Sequence, residues 1–324
     1  MATYGNESLR KENIDAVFYA VVEGKCATRT EISKYTGISV VTVGKAVEEF
    51  LDRNVFIQRA SQKKTVGRHA NRVTLNKTKQ FAVIDISNKN FRATCFDLSF
   101  NVTHRYRYDY LDDFDYADNL RAFLNRLKAY MIDKKQNNYF ANYFIVPGVY
   151  DKHNDRVINC DNIELENMHI QAYVQKRAAM TMNRVTDKIT AAAKHCQVLC
   201  PKGENILYIW LQGREALKAR IVVDGRVLKV PFVNEIKLDH DNIHCSISKF
   251  ISDICCVVDL SQVYIESDRR LYDQDMFKIK MAWRDNKWAN NIDIPQLILN
   301  HDIEFAHLGC AEMLRRVWLD NLIR

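Results

Sequence analysis

Glycine and proline are scarce. The 324-residue chain holds 10 glycines and 4 prolines, where average usage would supply about 23 glycines. No two glycines stand within six residues of each other. That spacing excludes GxGxxG and the P-loop, because a backbone N–H closely approaches a phosphate only where no Cβ intervenes. Long apolar runs are missing as well. None, Ile206–Leu211 included, comes near the ~20 residues of a membrane span. The opening MATYGNESLRKEN lacks the apolar core of a secretion signal. The cysteines are nine in number and form no CxxC pair, which suits reduced thiols better than a disulfide framework. With 47% hydrophobic and 27% charged residues, the chain reads as a globular, cytoplasmic protein.

Charge is present but uneven. Residues 1–78 carry 13 Lys and Arg against 8 Asp and Glu, whereas residues 79–324 carry 34 against 32. A small basic module on a nearly neutral body points to nucleic acid as a partner. The local patterns agree. Asn13–Val22 is apolar at helical offsets. Thr30 is placed to cap a short helix that Gly37 ends, and Ser39 to cap a third helix with Val43, Val47, Phe50 and Leu51 inward. Val55–Ala60 and Arg72–Asn76 read as the strands of a hairpin with a basic tip. Three helices and a basic hairpin make a winged helix-turn-helix, whose third helix can enter a DNA major groove. Ser39, Val40, Thr42 and Lys45 would face base edges, with the valines suited to thymine methyls. Thr30, Ser33 and Lys34 would meet phosphates, as would Lys63, Lys64, Gly67 and Arg68 on the wing. Gly44 inside the third helix costs about 1 kcal/mol in propensity, so it serves a close approach, either to the first helix or to DNA. The competing reading is a packing or scaffold domain with a solvated basic loop.

Beyond residue 79 the pattern is a strand meander (Phe81–Ile86, Arg92–Leu98, Thr103–Tyr110), a helix over Ala117–Asp133 and a strand at Asn142–Val146. A helix over Val185–Cys196, a hairpin of Ile206–Leu211 with Ala219–Val223, a helix over Ile247–Val258, a strand at Gln262–Glu266 and a last helix over His301–Leu322 follow. Meander and helix, twice over, predict two α/β lobes. His195 with Cys196 and Cys200, and His240 with His244 and Cys245, have spacings that suit a metal, but neither stretch supplies four ligands. No metal or cofactor is therefore expected.

The order of helix-turn-helix, Gly67-Arg68 wing and a meander opening with Ile84-Asp85-Ile86 resembles the ROK family of bacterial sugar-operon repressors and sugar kinases. Val146-Pro-Gly-Val-Tyr-Asp151 with Asp161-Asn-Ile163, and Ile206-Leu-Tyr-Ile with Ile221-Val-Val-Asp-Gly-Arg-Val227, resemble further family stretches. The resemblance implies a winged helix-turn-helix at 1–78. A two-lobed, actin-like and ribonuclease-H-like body would follow at 79–324, with lobes of roughly 79–190 and 191–324 and the last helix packing back. Departures from the family pattern are concentrated where it handles ATP. Ser87-Asn88-Lys89 replaces the Gly-Gly-Thr of the first phosphate loop, and Arg214-Glu-Ala-Leu-Lys218 replaces the second loop. Arg184 stands where the family's catalytic Asp is expected, and a guanidinium cannot act as a base. Leu238 replaces the zinc histidine. Asn162 and Glu235 fall at sugar-contacting places, so with Arg184 they form a candidate ligand pocket. The expectation is an operator-binding homodimer or higher homo-oligomer with no catalytic residues and a sugar-like effector. The alternative is a sugar kinase with a DNA-binding extension.

Overall fold

The structure, a computed structural model, describes residues 2–59, 71–87, 90–133, 139–160, 162–178, 182–212, 216–228, 236–239, 241–268, 271–286, 293–300 and 304–323. The first helix, α1 (Ala2–Val22), begins well before the periodic stretch at Asn13. Then come α2 (Arg29–Thr36) and α3 (Val40–Asp52), with β1 (Phe56–Arg59) and β2 (Arg72–Leu75) pairing antiparallel. Thr28 caps α2, in place of the expected Thr30. The reason is chemical. Three residues after Thr28 stands Glu31, whose carboxylate accepts the Ala27 and Thr28 N–H groups at 2.9 and 3.0 Å. Three residues after Thr30 stands Ser33, whose side chain is too short to reach back. Gly37 ends α2 in the left-handed region at φ 74°, a conformation glycine adopts without strain. The module closes over Phe18, Phe50 and Phe56, all almost fully buried, with ring centroids 4.7–6.4 Å apart.

The body repeats one sheet topology. The first lobe contains β3 (Gln80–Asp85), β4 (Asn90–Asp97), β5 (Val102–Asp109), α4 (Tyr116–Asp133), β6 (Tyr139–Val146), β7 (Val149–Asp151), β8 (Arg156–Ile158), α5 (Ile163–Glu166), α6 (Ile170–Arg177) and β9 (Met182–Asp187). Next come α7 (Lys188–Leu199), β10 (Asn205–Gln212), β11 (Ala216–Val223), β12 (Arg226–Val227), β13 (Ile236–Lys237), α8 (Ile243–Cys255), β14 (Gln262–Ser267), α9 (Asp273–Asp285), β15 (Gln296–Leu299) and α10 (Phe305–Ile323). The sheets run β5-β4-β3-β6-β9 and β12-β11-β10-β14-β15. In each, an antiparallel meander is followed by two parallel strands. The helix expected over Val185–Cys196 is thus a strand followed by a helix. Asn183, Val185 and Asp187 are buried on β9, and Asp187 caps α7 by accepting the Thr190 N–H at 2.8 Å. The alternation of β9 is too short to outweigh the apolar helical run after it.

Helices α7 and α10 lie between the two sheets, packed on Phe81, Val83, Tyr143 and Ile145 from one and on Ile206 and Tyr208 from the other. Their contact is tight at Gly309. A Cβ built there would stand 1.8 Å from the Ala191 carbonyl oxygen. Further along α10, Trp318 and Leu319 enter the same core cluster as Phe18 and Phe50. Arg315 is buried there, donating to the Leu98 carbonyl at 3.1 Å with its guanidinium 3.8 Å from the Phe100 ring centroid. The N-terminal module is therefore seated on the last helix of the body. Gly309→Ala forces α7 and α10 apart at a cost of about 1–3 kcal/mol. The expected result is an unfolding midpoint lower by roughly 5 °C in a thermal scan; an unchanged midpoint would contradict the tight contact.

Candidate functional site

Two regions have functional geometry. The first is the outer face of α2 and α3. The Ser39 hydroxyl accepts the Thr42 N–H at 3.2 Å and lies 2.9 Å from the Thr42 hydroxyl. This cap fixes the direction in which α3 starts. Ser33 donates to the Ile38 carbonyl at 2.6 Å, so its hydroxyl also holds the turn between the helices. Thr30, Lys34, Ser39, Val40 and Lys45 are exposed, whereas Ser33 and Thr42 are half-buried. Val40 and Val41 are 49% and 72% exposed, an unfavourable placement for apolar side chains that face only water.

The charges of α3 are sorted along its length. Glu49 is paired with Arg10 at 3.2 Å and with Arg53 at 3.1 Å, and Glu48 is paired with Arg29. Lys34 and Lys45 form no ion pair among the described residues. Glu48 and Glu49 are thus neutralised, while the exposed lysines stay available to an anion. Sequence reasoning missed this sorting, because Arg10 and Arg29 come from other helices. Among the described residues nothing lies within 4 Å of a Cβ built at Gly44. This glycine does not serve packing on α1. Arg59 and Arg72 stand directly opposite each other at the base of the wing. Lys63, Lys64, Gly67 and Arg68 lie outside the described residues.

The second region is a cavity of about 400 Å³ at the carboxyl ends of the parallel strands, lined among others by Ser87, Gly148, Asn162, Lys188, Trp210 and Lys218. Strand ends of this kind are where open α/β sheets bind ligands. Gly148 takes φ 68°, and a Cβ there would overlap the Ile158 carbonyl. Asn162 lines the cavity, but its side-chain oxygen accepts the Leu165 N–H at 3.0 Å and caps α5. Arg184 is exposed on β9 and does not line this cavity. Glu235 lies outside the described residues. The three candidate pocket residues are therefore not seen brought together. At the end of β9 stands a carboxylate, Asp187, buried and accepting from Thr190 and from the Tyr150 N–H.

Beside the cavity lies a buried charge network. Arg92 donates to Asp85 at 2.7 Å and to Glu304 at 3.0 Å, and Lys188 reaches the other Glu304 oxygen at 2.7 Å. Ser87 donates both its N–H and its hydroxyl to Asp85. Burial alone would raise the Asp85 carboxyl, but Lys188, His307, Arg92 and Ser87 outweigh it and hold the group below the usual carboxylate range. Burial likewise opposes ionisation of Glu304, and Lys188 with His307 and Arg92 again prevails. Asp85, Glu304 and His307 offer ligand atoms within 4.8 Å of one another; two cations already balance the two carboxylates, so the cluster has little pull on a metal ion. The Lys188 ammonium also stands 3.5 Å from the Trp210 ring centroid. Of the stretches with metal-like spacing, His195 is bound to Glu312 and His244 to Asp275, each at 3.0 Å; His240 lies outside the described residues.

No protein-family profile matches the chain, and no curated protein matches it in sequence. Solved structures do match it. A ROK-family transcriptional regulator, described as a homologue of the E. coli MLC protein, aligns with TM-score 0.70 over 97% of this chain and 98% of its own, at 13% identity. A Streptococcus pneumoniae ROK protein, solved with sucrose, aligns with TM-score 0.56 over 74% of this chain and 99% of its own, at 9% identity. A ROK hexokinase from Thermus thermophilus aligns with TM-score 0.55 over 75% and 99%, at 11% identity. The chain has the fold of the ROK regulator, an N-terminal helix-turn-helix module followed by a two-lobed α/β body, and the other two ROK proteins match about three quarters of it.

Proposed function

We propose that this protein is a DNA-binding transcription regulator. Its winged helix-turn-helix (residues 1–78) would read an operator. Its body (residues 79–324) would pair two copies and sense a sugar or sugar derivative in the cleft. One observation carries the reading. The start of α3 presents Ser39, Val40, Val41 and Lys45 to solvent, while Glu48 and Glu49 toward its far end are neutralised by Arg10, Arg29 and Arg53. A helix used only for packing gains nothing from that arrangement. The solved ROK regulator aligns along nearly the whole chain, the N-terminal module included, whereas the ROK hexokinase covers 75% of it. Two-fold pairing would place operator half-sites one or two helical turns apart, about 34 Å per turn.

A kinase is the second reading, and Asp187 at the strand end favours it. Against it, both Asp187 oxygens are occupied by Thr190 and Tyr150, and Asp85 is committed to Arg92 and Ser87. An assay with ATP, Mg²⁺ and a panel of hexoses is expected to give no turnover above the blank; clear turnover would overturn the non-enzymatic reading.

Mobility-shift titrations on the DNA upstream of the protein's own gene check the interface. Lys34→Ala is expected to weaken binding to all sequences and to flatten the salt dependence by about one phosphate contact. Thr42→Ala is expected to cost about 1–3 kcal/mol on the specific site and little on random DNA. Equal losses on both DNAs for both variants would refute this division. Gly44→Ala has opposite expected signs in two measurements. It raises stability by about 0.5–1 kcal/mol, because a helix interior prefers alanine, and it lowers DNA affinity, because the added methyl occupies space meant for the duplex. An unchanged affinity would remove Gly44 from the interface.

A further inference from the structure

A second pocket, of about 460 Å³, opens between the free edge of the first sheet and the start of α10, and shares no lining residue with the cleft. Three arginines line it. In the β4–β5 register Arg92 faces Arg107 and Thr94 faces Arg105, so all four side chains lie on one face of the sheet. Like charges placed directly opposite are unfavourable, and the nearby acids relieve only one of them. Asp85 and Glu304 both engage Arg92, and the second Glu304 oxygen is taken by Lys188. Arg105 has no ion pair among the described residues. Among the described residues Arg107 reaches Asp109 alone, on its own strand and with both side chains largely in solvent, a pair that contributes little. A buried polar atom completes the wall. His307 is 6% exposed, and its Nε2 has no hydrogen-bond partner among the described residues. A buried nitrogen of this kind is costly unless a ligand or water satisfies it.

We infer that this pocket binds the phosphate of a small phosphate monoester, with Arg105, Arg107 and Arg92 around the anion and His307 Nε2 at one of its oxygens. Guanidinium groups match phosphate oxygens with paired N–H donors, which ammonium groups do not. The volume exceeds that of a lone ion and leaves room for the esterified group. Burial lowers the His307 pKa, and a ring with its proton on Nε2 donates to an anion without adding a charge.

The test is titration calorimetry on the full chain at constant ionic strength, with glycerol 3-phosphate and inorganic phosphate as probes. One saturable site per chain is expected, with the ester bound at least as tightly as the free ion. The double variant Arg105→Ala/Arg107→Ala, at exposed positions of an edge strand, is expected to weaken binding about tenfold or more without moving the unfolding midpoint. Arg107→Lys, which keeps the charge and loses the paired donors, is expected to fall between the two, and serves alone if the double variant is unstable. Lys218→Ala, in the cleft, is expected to leave the affinity unchanged. The site is overturned by absence of saturable heat with both probes, by equal affinity in the arginine variants, or by a loss that follows Lys218→Ala instead. Tighter binding of inorganic phosphate overturns the ester assignment. Arginine variants that weaken DNA binding but not phosphate binding would give this surface to the duplex and overturn the proposal as well.

Discussion

The approach of α10 to α7 at Gly309 sets the spacing of the whole body. With no Cβ at Gly309, the α10 backbone comes close enough to touch the Ala191 carbonyl. The pair of helices is then thin enough for both sheets to close on it, with Phe81 and Tyr143 on one side and Ile206 and Tyr208 on the other. The end of α10 consequently falls where Trp318 and Leu319 meet α1. One missing methyl thus governs the lobe arrangement and the seat of the N-terminal module. A chain with so few glycines keeps one at a position where no other residue fits.

The same economy explains the cleft. Where the resemblance expects glycines to cradle phosphates, side chains and internal ion pairs are found. Asp85 turns to Ser87 and Arg92, and Lys188 is held between Glu304 and the face of Trp210. Charges that could serve a nucleotide are balanced within the protein. Glu266, at the end of β14, accepts from Tyr208 at 2.7 Å and from the Phe305 N–H at 2.9 Å, so it ties the second sheet to the first turn of α10. Burial raises the pKa of this carboxyl even so. The interior of the cleft is organised around the position of α10.

Legibility in the sequence followed the range of the interactions. The helix-turn-helix could be read because its signals are local: Gly37 at the turn, Ser39 at the cap, a valine and phenylalanine face on α3. The β3–β5 meander and the β10–β11 hairpin were legible from alternation. Thr28 and Thr30 both offer a capping hydroxyl, and the choice between them falls to Glu31, whose carboxylate reaches back to the Thr28 N–H. The strand β9 was hidden because Asp187 both ends it and caps α7, within one apolar stretch. Short elements such as β7, β8, α5 and α6 had no period long enough to show, and α9 was not read from the sequence. The charge network was invisible in principle, since Arg92 and Glu304 are brought together only by the fold. So was the pairing of Arg29 with Glu48 that clears the face of α3.

Helix α10 has 19 residues, about 28 Å of rise, and no proline interrupts it. Its first turn is gripped by Glu266 and adjoins the Arg92–Glu304–Lys188 chain; its last turns belong to the core of the N-terminal module. A rod clamped at both ends turns a small displacement into a tilt. Four residues of α10 precede Gly309 and fourteen follow it, so a shift of about 1 Å at the Phe305 end, pivoting on the Gly309 contact, moves the Ile323 end by about 3.5 Å in the opposite sense. The two halves of the molecule are therefore geared together, and the ratio is fixed by where along the helix the glycine lies.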